Sequence, residues 1–151
     1  MPEKKTLERA KKDKTEGKAP STQAGEFVKE EMDHVREGKH GARSAKQAIA
    51  IGLSKARRAG VKLPPPKKGK TSERSRTQAA RDNAKGSSSS DHAPSRKRSR
   101  AVSAALKREG HAAASPTALS RQAHASAKSR GAAKRSQAAK KAARTRARRG
   151  K

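Results

Sequence analysis

The larger apolar side chains of this sequence are concentrated in one short segment. The chain holds 30 alanines but only 14 larger apolar residues, and nine of those 14 lie between Phe27 and Leu63. Ordering a residue costs roughly 1–2 kcal/mol of backbone entropy, and an alanine methyl group buries too little area to offset that cost. We therefore expect a mainly α, largely disordered basic chain with a small two-helix unit and no full globular core.

Two helices are predicted inside this segment, over residues 21–37 and 44–59. Each has its apolar residues on one stripe, and Ser44 with Gln47 forms a capping-box pattern at the start of the second helix. The turn between the helices is rich in glycine, and three prolines follow the second helix. These signals favour an antiparallel helical hairpin over residues 21–63.

Gly52 lies in the middle of the second predicted helix, on its apolar face. A glycine there costs about 1 kcal/mol relative to alanine, so we expect another backbone to approach it, with the first helix as the candidate. A unit of this size is only marginally stable. Ordering on a partner, or self-association through residues 21–63, is therefore plausible.

The remaining segments lack comparable apolar patterns. We expect a mixed-charge disordered arm over residues 1–20 and a Pro/Ser/Gly-rich basic linker over residues 64–98. Residues 99–151 form an Ala/Lys/Arg-rich tail with weak helices, one over residues 99–109 and one from Pro116 to Arg130 that breaks at Gly131.

The net charge of +28 is unevenly distributed. Residues 1–37 contain nine Lys/Arg and nine Asp/Glu, whereas residues 38–151 contain 32 Lys/Arg and four acids. Such an asymmetry indicates a polyanionic partner, and nucleic acid is the first candidate.

The predicted nucleic-acid-binding residues are the basic clusters, which would contact phosphates and release counterions. We expect DNA to be favoured over RNA, with little sequence preference, because these side chains make phosphate-type contacts and Phe27 is the only aromatic residue available for stacking. The predicted contacts are Lys46, Lys55, Arg57, Arg58, Lys62, Lys67, Lys68, Lys70, Arg96, Lys97, Arg98, Arg100, Lys134, Arg135, Lys140, Lys141, Arg144, Arg146, Arg148 and Arg149.

Two other functions stay open on the sequence. The first is that of an RNA- or ribosome-associated factor. The second is that of a protein-interaction module, in which residues 21–63 dock a partner and the tails only add affinity. Competition between duplex DNA and structured RNA separates the first of these from DNA binding.

Enzymatic chemistry is not supported by any motif. The chain has no cysteine, nucleophile motif or phosphate loop, so we expect no enzyme activity, no cofactor, no small-molecule substrate and no metal site. No apolar run approaches the 18 residues of a membrane span. The five histidines are scattered and are expected to be exposed rather than metal-bound, at positions His34, His40, His92, His111 and His124.

Residues 25–70 resemble a family of small basic bacterial proteins that share a KQAIAI…S-ARRAG core, here KQAIAIGLSKARRAG, and carry basic tails. The family has no established activity, and its members are often labelled DNA-binding. The tail after Gly131 is similar in composition to linker-histone-like basic tails. The resemblance implies a bacterial, cytoplasmic setting, and with the charge it leads us to expect a nucleoid-associated accessory protein.

Overall fold

The computed structural model describes residues 2–88 and 95–149, apart from the side chain of Arg149. Residues 89–94 of the predicted linker, which include His92, lie outside the described residues. The described chain is mainly α, with 75% of it helical. Its elements are α1 (Lys4–Thr15), α2 (Pro20–Arg36), α3 (Ala45–Arg58), α4 (Glu73–Ser87), α5 (Arg96–Lys107), a 3-10 turn (Ala112–Ala114) and α6 (Pro116–Arg149).

The expectation of a largely disordered chain is wrong. Helix α1 lies in the segment predicted as a disordered arm, and α4 lies in the segment predicted as a flexible linker. Both pack on the predicted helix pair, α1 against α2 and α4 against α3. The two-helix unit is therefore the centre of a larger helical assembly.

Most of the buried apolar residues are alanines, which the count of larger apolar side chains leaves out. Among the described residues, nine of the thirteen buried apolar side chains are alanines. One cluster joins Ala10 of α1, Ala24 and Phe27 of α2, and Ala56 and Val61 at the end of α3. Small side chains let helix backbones approach closely, and close packing gains dispersion energy from many atom pairs. Counting large apolar residues alone underestimated this core.

The predicted helix pair itself is confirmed, because α2 and α3 match the predicted ranges to within one residue. They pack against each other at Gly52, where an added Cβ would lie 2.7 Å from the Cα of Val28 and 3.0 Å from the carbonyl oxygen of Phe27. The expected close approach of another backbone at this glycine is confirmed.

The start of α3 has a side-chain cap. The Ser44 hydroxyl accepts a hydrogen bond from the Gln47 amide at 3.2 Å, as predicted. The Gln47 side chain accepts from the backbone N–H of Arg43 at 2.8 Å rather than from that of Ser44. The two contacts fix the conformation of the chain where it enters α3.

The chain divides into two compact units, Met1–Ser115 and Pro116–Lys151. The second unit contains α6, which begins at Pro116 and is interrupted at Gly131 (φ 76°, ψ 162°), as predicted. This backbone conformation is accessible to glycine almost alone. The interruption separates residues 132–149 (the C-terminal helix) from the first half of α6. Neither α6 nor any other helix in the described ranges is long and apolar enough to cross a membrane.

Candidate nucleic-acid interface

Lys55 and Arg58, two of the predicted phosphate contacts on α3, are paired with buried carboxylates. Lys55 Nζ lies 2.6 Å from Glu31 Oε2, and Arg58 Nε donates to Asp82 Oδ1 at 2.7 Å. Glu31 and Asp82 are 0% and 1% exposed. A buried carboxylate without its cation is strongly unfavourable, so these two cations are committed to the fold.

Arg57 is also held within the fold, but by backbone carbonyl groups and not by a carboxylate. It is buried, and its guanidinium donates to the carbonyl oxygens of Leu63 at 3.3 Å and Pro64 at 3.5 Å. Burial lowers the pKa of Arg57, opposed by the nearby Asp82 carboxylate. Arg57 therefore holds the segment after α3 in place instead of facing a partner.

The other predicted contacts of the first unit are exposed. Within the described ranges, none of their side chains makes a hydrogen bond or an ion pair. They lie at the start of α3, in the segment between α3 and α4, and in the first turns of α5. These residues are Lys46, Lys62, Lys67, Lys68, Lys70, Arg96, Lys97, Arg98 and Arg100.

The C-terminal helix brings most of the remaining predicted contacts onto one regular element. At 100° per residue, Lys134, Lys141 and Arg148 lie within about 40° of one another, and Lys140 and Arg144 widen the stripe to about 120°. All five side chains are exposed. We call these five residues the basic stripe.

At 100° per residue, the face opposite the basic stripe holds both small residues and arginines. Ala132, Ala139 and Ala143 lie there, and beside them Arg135 and Arg146 lie about 160–180° from the centre of the stripe and are also exposed. The helical backbone reaches Arg149, whose side chain lies outside the described part of the chain.

The second unit differs from the first in having no acid. Pro116–Lys151 contains twelve Lys/Arg and no Asp/Glu, whereas all 13 acids of the chain precede Pro116. Cations on this unit have no carboxylate of their own unit to neutralise them. Its net charge of +12 over 36 residues is a higher density of positive charge than the +16 over the 115 residues of the first unit.

A second group of side chains was missed by the sequence reasoning. The structure brings Glu31, His34 and His40 together, with one potential ligand atom from each lying within 4.8 Å of the others. The expectation that these two histidines are exposed is wrong, because their side chains are only 13% and 17% exposed. The Glu-x-x-His spacing at positions 31 and 34 places two of the three groups on one face of α2 and was the available signal. His40 joins them only through the turn after α2.

Residues 11–68 match a family described as "Family of unknown function (DUF6496)". The matched range contains all of α2 and α3 with the KQAIAI segment, and it ends before α4. No curated protein and no solved structure matches the chain. The basic stripe lies outside the family match.

Proposed function

We propose that the protein binds nucleic acid through Lys/Arg–phosphate contacts without sequence specificity, with duplex DNA as the favoured ligand. The observation that carries this proposal is the basic stripe on an acid-free unit. A helix of about 18 residues is about 27 Å long, so its exposed cations can follow several successive phosphates of a duplex. Neutralising those phosphates releases condensed counterions, which supplies the binding free energy.

The committed pairs on α3 support non-specific contact. A recognition helix reads bases with side chains that are free to enter the major groove. On α3, Lys55, Arg57 and Arg58 are held by Glu31, by backbone carbonyls and by Asp82. This leaves α3 with few polar groups for base readout, so α3 is a structural helix in this proposal.

The position of Phe27 supports duplex over single-stranded ligands. Sequence-tolerant recognition of single strands relies on bases that stack on exposed aromatic side chains. Phe27 is the only aromatic residue among Phe, Trp and Tyr in the chain, and it is 1% exposed. The exposed surface offers charge without an aromatic platform, which suits a phosphate backbone of either a DNA or an RNA duplex.

The physiological setting that accompanies this proposal is an accessory protein of the bacterial nucleoid. The nucleoid has a high density of DNA phosphates, which favours a protein that binds through charge and without sequence specificity. The runner-up, an RNA- or ribosome-associated role, uses the same stripe on a different polyanion.

The decisive experiment neutralises the basic stripe in the full chain and measures DNA affinity over a salt series. The tail variant replaces the five stripe residues with glutamine, which keeps helix propensity nearly unchanged. If all five contact phosphates, the slope of log K against log salt becomes less steep by about 4 to 5, and affinity falls at least about tenfold. The substitutions are Lys134→Gln, Lys140→Gln, Lys141→Gln, Arg144→Gln and Arg148→Gln.

A matched control removes the same charge from the first unit. The N-terminal control variant neutralises five exposed lysines that make no ion pair within the described residues, and we expect its affinity and salt slope to remain close to those of the wild type. Equal losses in the two variants would show that net charge alone drives binding and would contradict the role of the stripe. The control substitutions are Lys4→Gln, Lys5→Gln, Lys11→Gln, Lys14→Gln and Lys29→Gln.

A competition binding experiment shows which polyanion the protein prefers. Labelled duplex DNA bound to the wild-type chain is displaced by unlabelled duplex DNA, structured RNA or heparin at equal phosphate or sulfate concentration. Preferential displacement by structured RNA would favour the runner-up. Absence of DNA binding at low salt would contradict the proposal as a whole.

A further inference from the structure

We propose that Glu31, His34 and His40 form a binding site for a divalent transition-metal ion of the Zn²⁺ class. The site lies within the first unit, between α2 and the turn that follows it, and it is independent of the basic stripe. Two imidazoles and one carboxylate are a common ligand set for such ions, with a fourth position left for water.

The spacing of the two best-defined ligand atoms fits a tetrahedral ion. His40 Nε2 lies 3.2 Å from Glu31 Oε1. Two ligands that are each about 2.0–2.1 Å from a zinc ion at a tetrahedral angle are about 3.3–3.4 Å apart. The ring nitrogen of His34 lies within 4.8 Å of the other two ligand atoms, so a shift of about 1.4 Å, within reach of a side-chain adjustment, completes the set.

The two groups do not satisfy each other by hydrogen bonding. Glu31 is fully buried, and neither of its carboxylate oxygens has a hydrogen-bond partner among the described residues, although Lys55 Nζ and His40 Nε2 lie within ion-pair distance. Buried polar atoms in folded proteins are rarely left without a partner. In a metal site the ligand lone pairs point at the ion and not at one another. Ligand groups that lie close together without hydrogen-bonding to each other, as His40 and Glu31 do, therefore have the geometry of such a site.

The surroundings fix the ligands in usable orientations. His40 Nδ1 lies 3.1 Å from the carbonyl oxygen of Gly41, and a donated Nδ1–H places the free lone pair on Nε2, which faces Glu31. His34 Nε2 lies 2.9 Å from Glu3 Oε1. Hydrogen bonds of this kind, donated by a ring N–H to a backbone carbonyl or a carboxylate, are the usual supports of metal-binding histidines.

The cluster of Glu31, His34 and His40 is surrounded by charges of both signs. Lys55 balances Glu31 through Oε2 and leaves Oε1 for the ion. Lys39 Nζ lies 3.1 Å from Glu3 Oε1 and offsets that carboxylate.

Calorimetric titration of the tag-free full chain with ZnCl₂ tests the site, with His34→Gln and His40→Gln as the variants and His124→Gln as the matched control. His124 is exposed and lies in the second unit. We expect one Zn²⁺ per chain in the wild type and in the control, and an affinity loss of at least about 100-fold in each of the two cluster variants. Circular dichroism of each variant reports whether its helices are retained.

A second measurement uses the wild-type chain alone, so it does not depend on whether the variants fold. Co²⁺ in a tetrahedral His₂Glu site gives intense visible absorption bands, and zinc shifts the side-chain ¹H–¹⁵N resonances of two histidines. Unchanged binding in the His40→Gln variant, or zinc-induced shifts at His124 with none at two other histidines, would overturn the proposal. No zinc binding at all would likewise overturn the proposal.

Discussion

Gly52 shows how a single residue sets the distance between two helices. Its missing side chain lets the backbone of α2 at Phe27 and Val28 approach α3 more closely than a Cβ allows. The cost of a glycine in a helix, about 1 kcal/mol relative to alanine, is offset by this contact. The packing of the whole first unit depends on that approach, because α1 and α4 dock on the α2–α3 pair.

Replacing Gly52 with alanine is therefore expected to destabilise the protein. The added methyl group gains about 1 kcal/mol of helix propensity but forces two backbones apart, and overpacking costs typically about 1–3 kcal/mol. Because the neighbours are backbone atoms that cannot rotate away, we expect a net loss of about 1–2 kcal/mol in the free energy of unfolding. Urea denaturation followed by circular dichroism measures it.

Gly25→Ala is the matched control. Gly25 lies on an exposed position of α2, and an added Cβ would meet nothing within 4 Å. This variant should gain up to about 1 kcal/mol from propensity alone. A stabilising effect of Gly52→Ala equal to that of the control would contradict the close approach.

At the scale of elements, α4 is held on α3 chiefly by a polar contact. Asp82 accepts hydrogen bonds from Ser54 at 2.6 Å and Arg58 at 2.7 Å on α3, and from Gln78 at 3.0 Å on α4 itself. The main apolar contribution of α4 is Ala79. Asp82 is therefore the main buried polar link between α4 and α3, alongside a hydrogen bond from the Asn83 side chain to the carbonyl oxygen of Leu63 at 2.9 Å and the close packing of Gly86 on the backbone of Arg57.

Asp82→Ala should release α4 from the first unit. The substitution leaves three donors without their acceptor, and breaking a buried ion pair costs about 3–5 kcal/mol. Arg58 is half exposed and can turn to water, so we expect a loss of about 2–3 kcal/mol. Hydrogen exchange should show reduced protection of the α4 amides before those of α2.

Glu73→Ala serves as the control for this prediction. Glu73 lies on the same helix, but its ion pair with Arg76 is exposed. Exposed pairs contribute between about 0 and 1 kcal/mol, so α4 should keep its protection. Equal effects at positions 73 and 82 would contradict the special role of Asp82.

The connection between α1 and α2 is fixed by Lys18. Its Nζ lies 2.6 Å from Asp13 Oδ1 and 2.8 Å from Glu16 Oε2. The hydrogen bonds that Lys18 donates, first to Asp13 and then to Glu16, raise the pKa of Lys18 above its ordinary value of 10.5. The hydrogen bond from Lys18 lowers the pKa of Glu16 below its ordinary value of 4.5.

The stability that Lys18 provides should depend on pH in both directions. The lowered pKa of Glu16 gives a contribution that is complete above 4.5 and is lost as the pH falls through the folded-state pKa. The raised pKa of Lys18 gives one that is complete below 10.5 and is lost as the pH rises through its folded-state pKa. Lys18→Met should lower the Tm by at most a few degrees near pH 7, and the difference should shrink at both extremes.

Lys11→Met controls for the loss of a positive charge, because Lys11 is exposed on α1 and makes no ion pair among the described residues. Its Tm difference from the wild type should vary less with pH. A Lys18→Met difference that stays constant from acid to alkaline pH would contradict the charge-assisted contact.

At the scale of the whole molecule, the acids are confined to the first unit, whereas the 41 Lys/Arg are shared, 29 in the first unit and 12 in the second. The first unit contains every acid of the chain, and its buried carboxylates contact Lys55 and Arg58. The second unit contains cations alone. In the proposed function, the first unit uses charge to hold its fold and the second uses charge to bind.

This division predicts opposite effects from two kinds of substitution. The tail variant, in which the basic stripe is neutralised, should lose DNA affinity without a change in the Tm of the first unit. Asp82→Ala should lower that Tm, while its DNA affinity at low temperature stays within about twofold of the wild type, because it removes no phosphate contact. Scanning calorimetry and DNA titration of both variants measure the two quantities. A stripe variant that lowers the Tm as much as Asp82→Ala would contradict the division.

The sequence by itself determined the elements whose signals are local. Capping by Ser44, the glycine and proline stop after α3, and the break at Gly131 each depend on a few neighbouring residues, so α2, α3 and the first half of α6 with its break could be predicted. It also determined that the cations outnumber the acids and where they lie along the chain. The identification of exposed cations as DNA contacts stays a prediction.

Only the tertiary structure decided how much of the chain folds and which cations are free. Ala10 and Ala79 become core residues because a neighbouring helix covers them, and an alanine carries no local sign of that. Lys55 and Lys46 are alike in sequence, yet only Lys55 meets a buried carboxylate. His40 reaches Glu31 through a turn whose path local patterns do not fix. Burial and pairing are properties of contacts between distant segments, and for that reason the sequence pattern could not supply them.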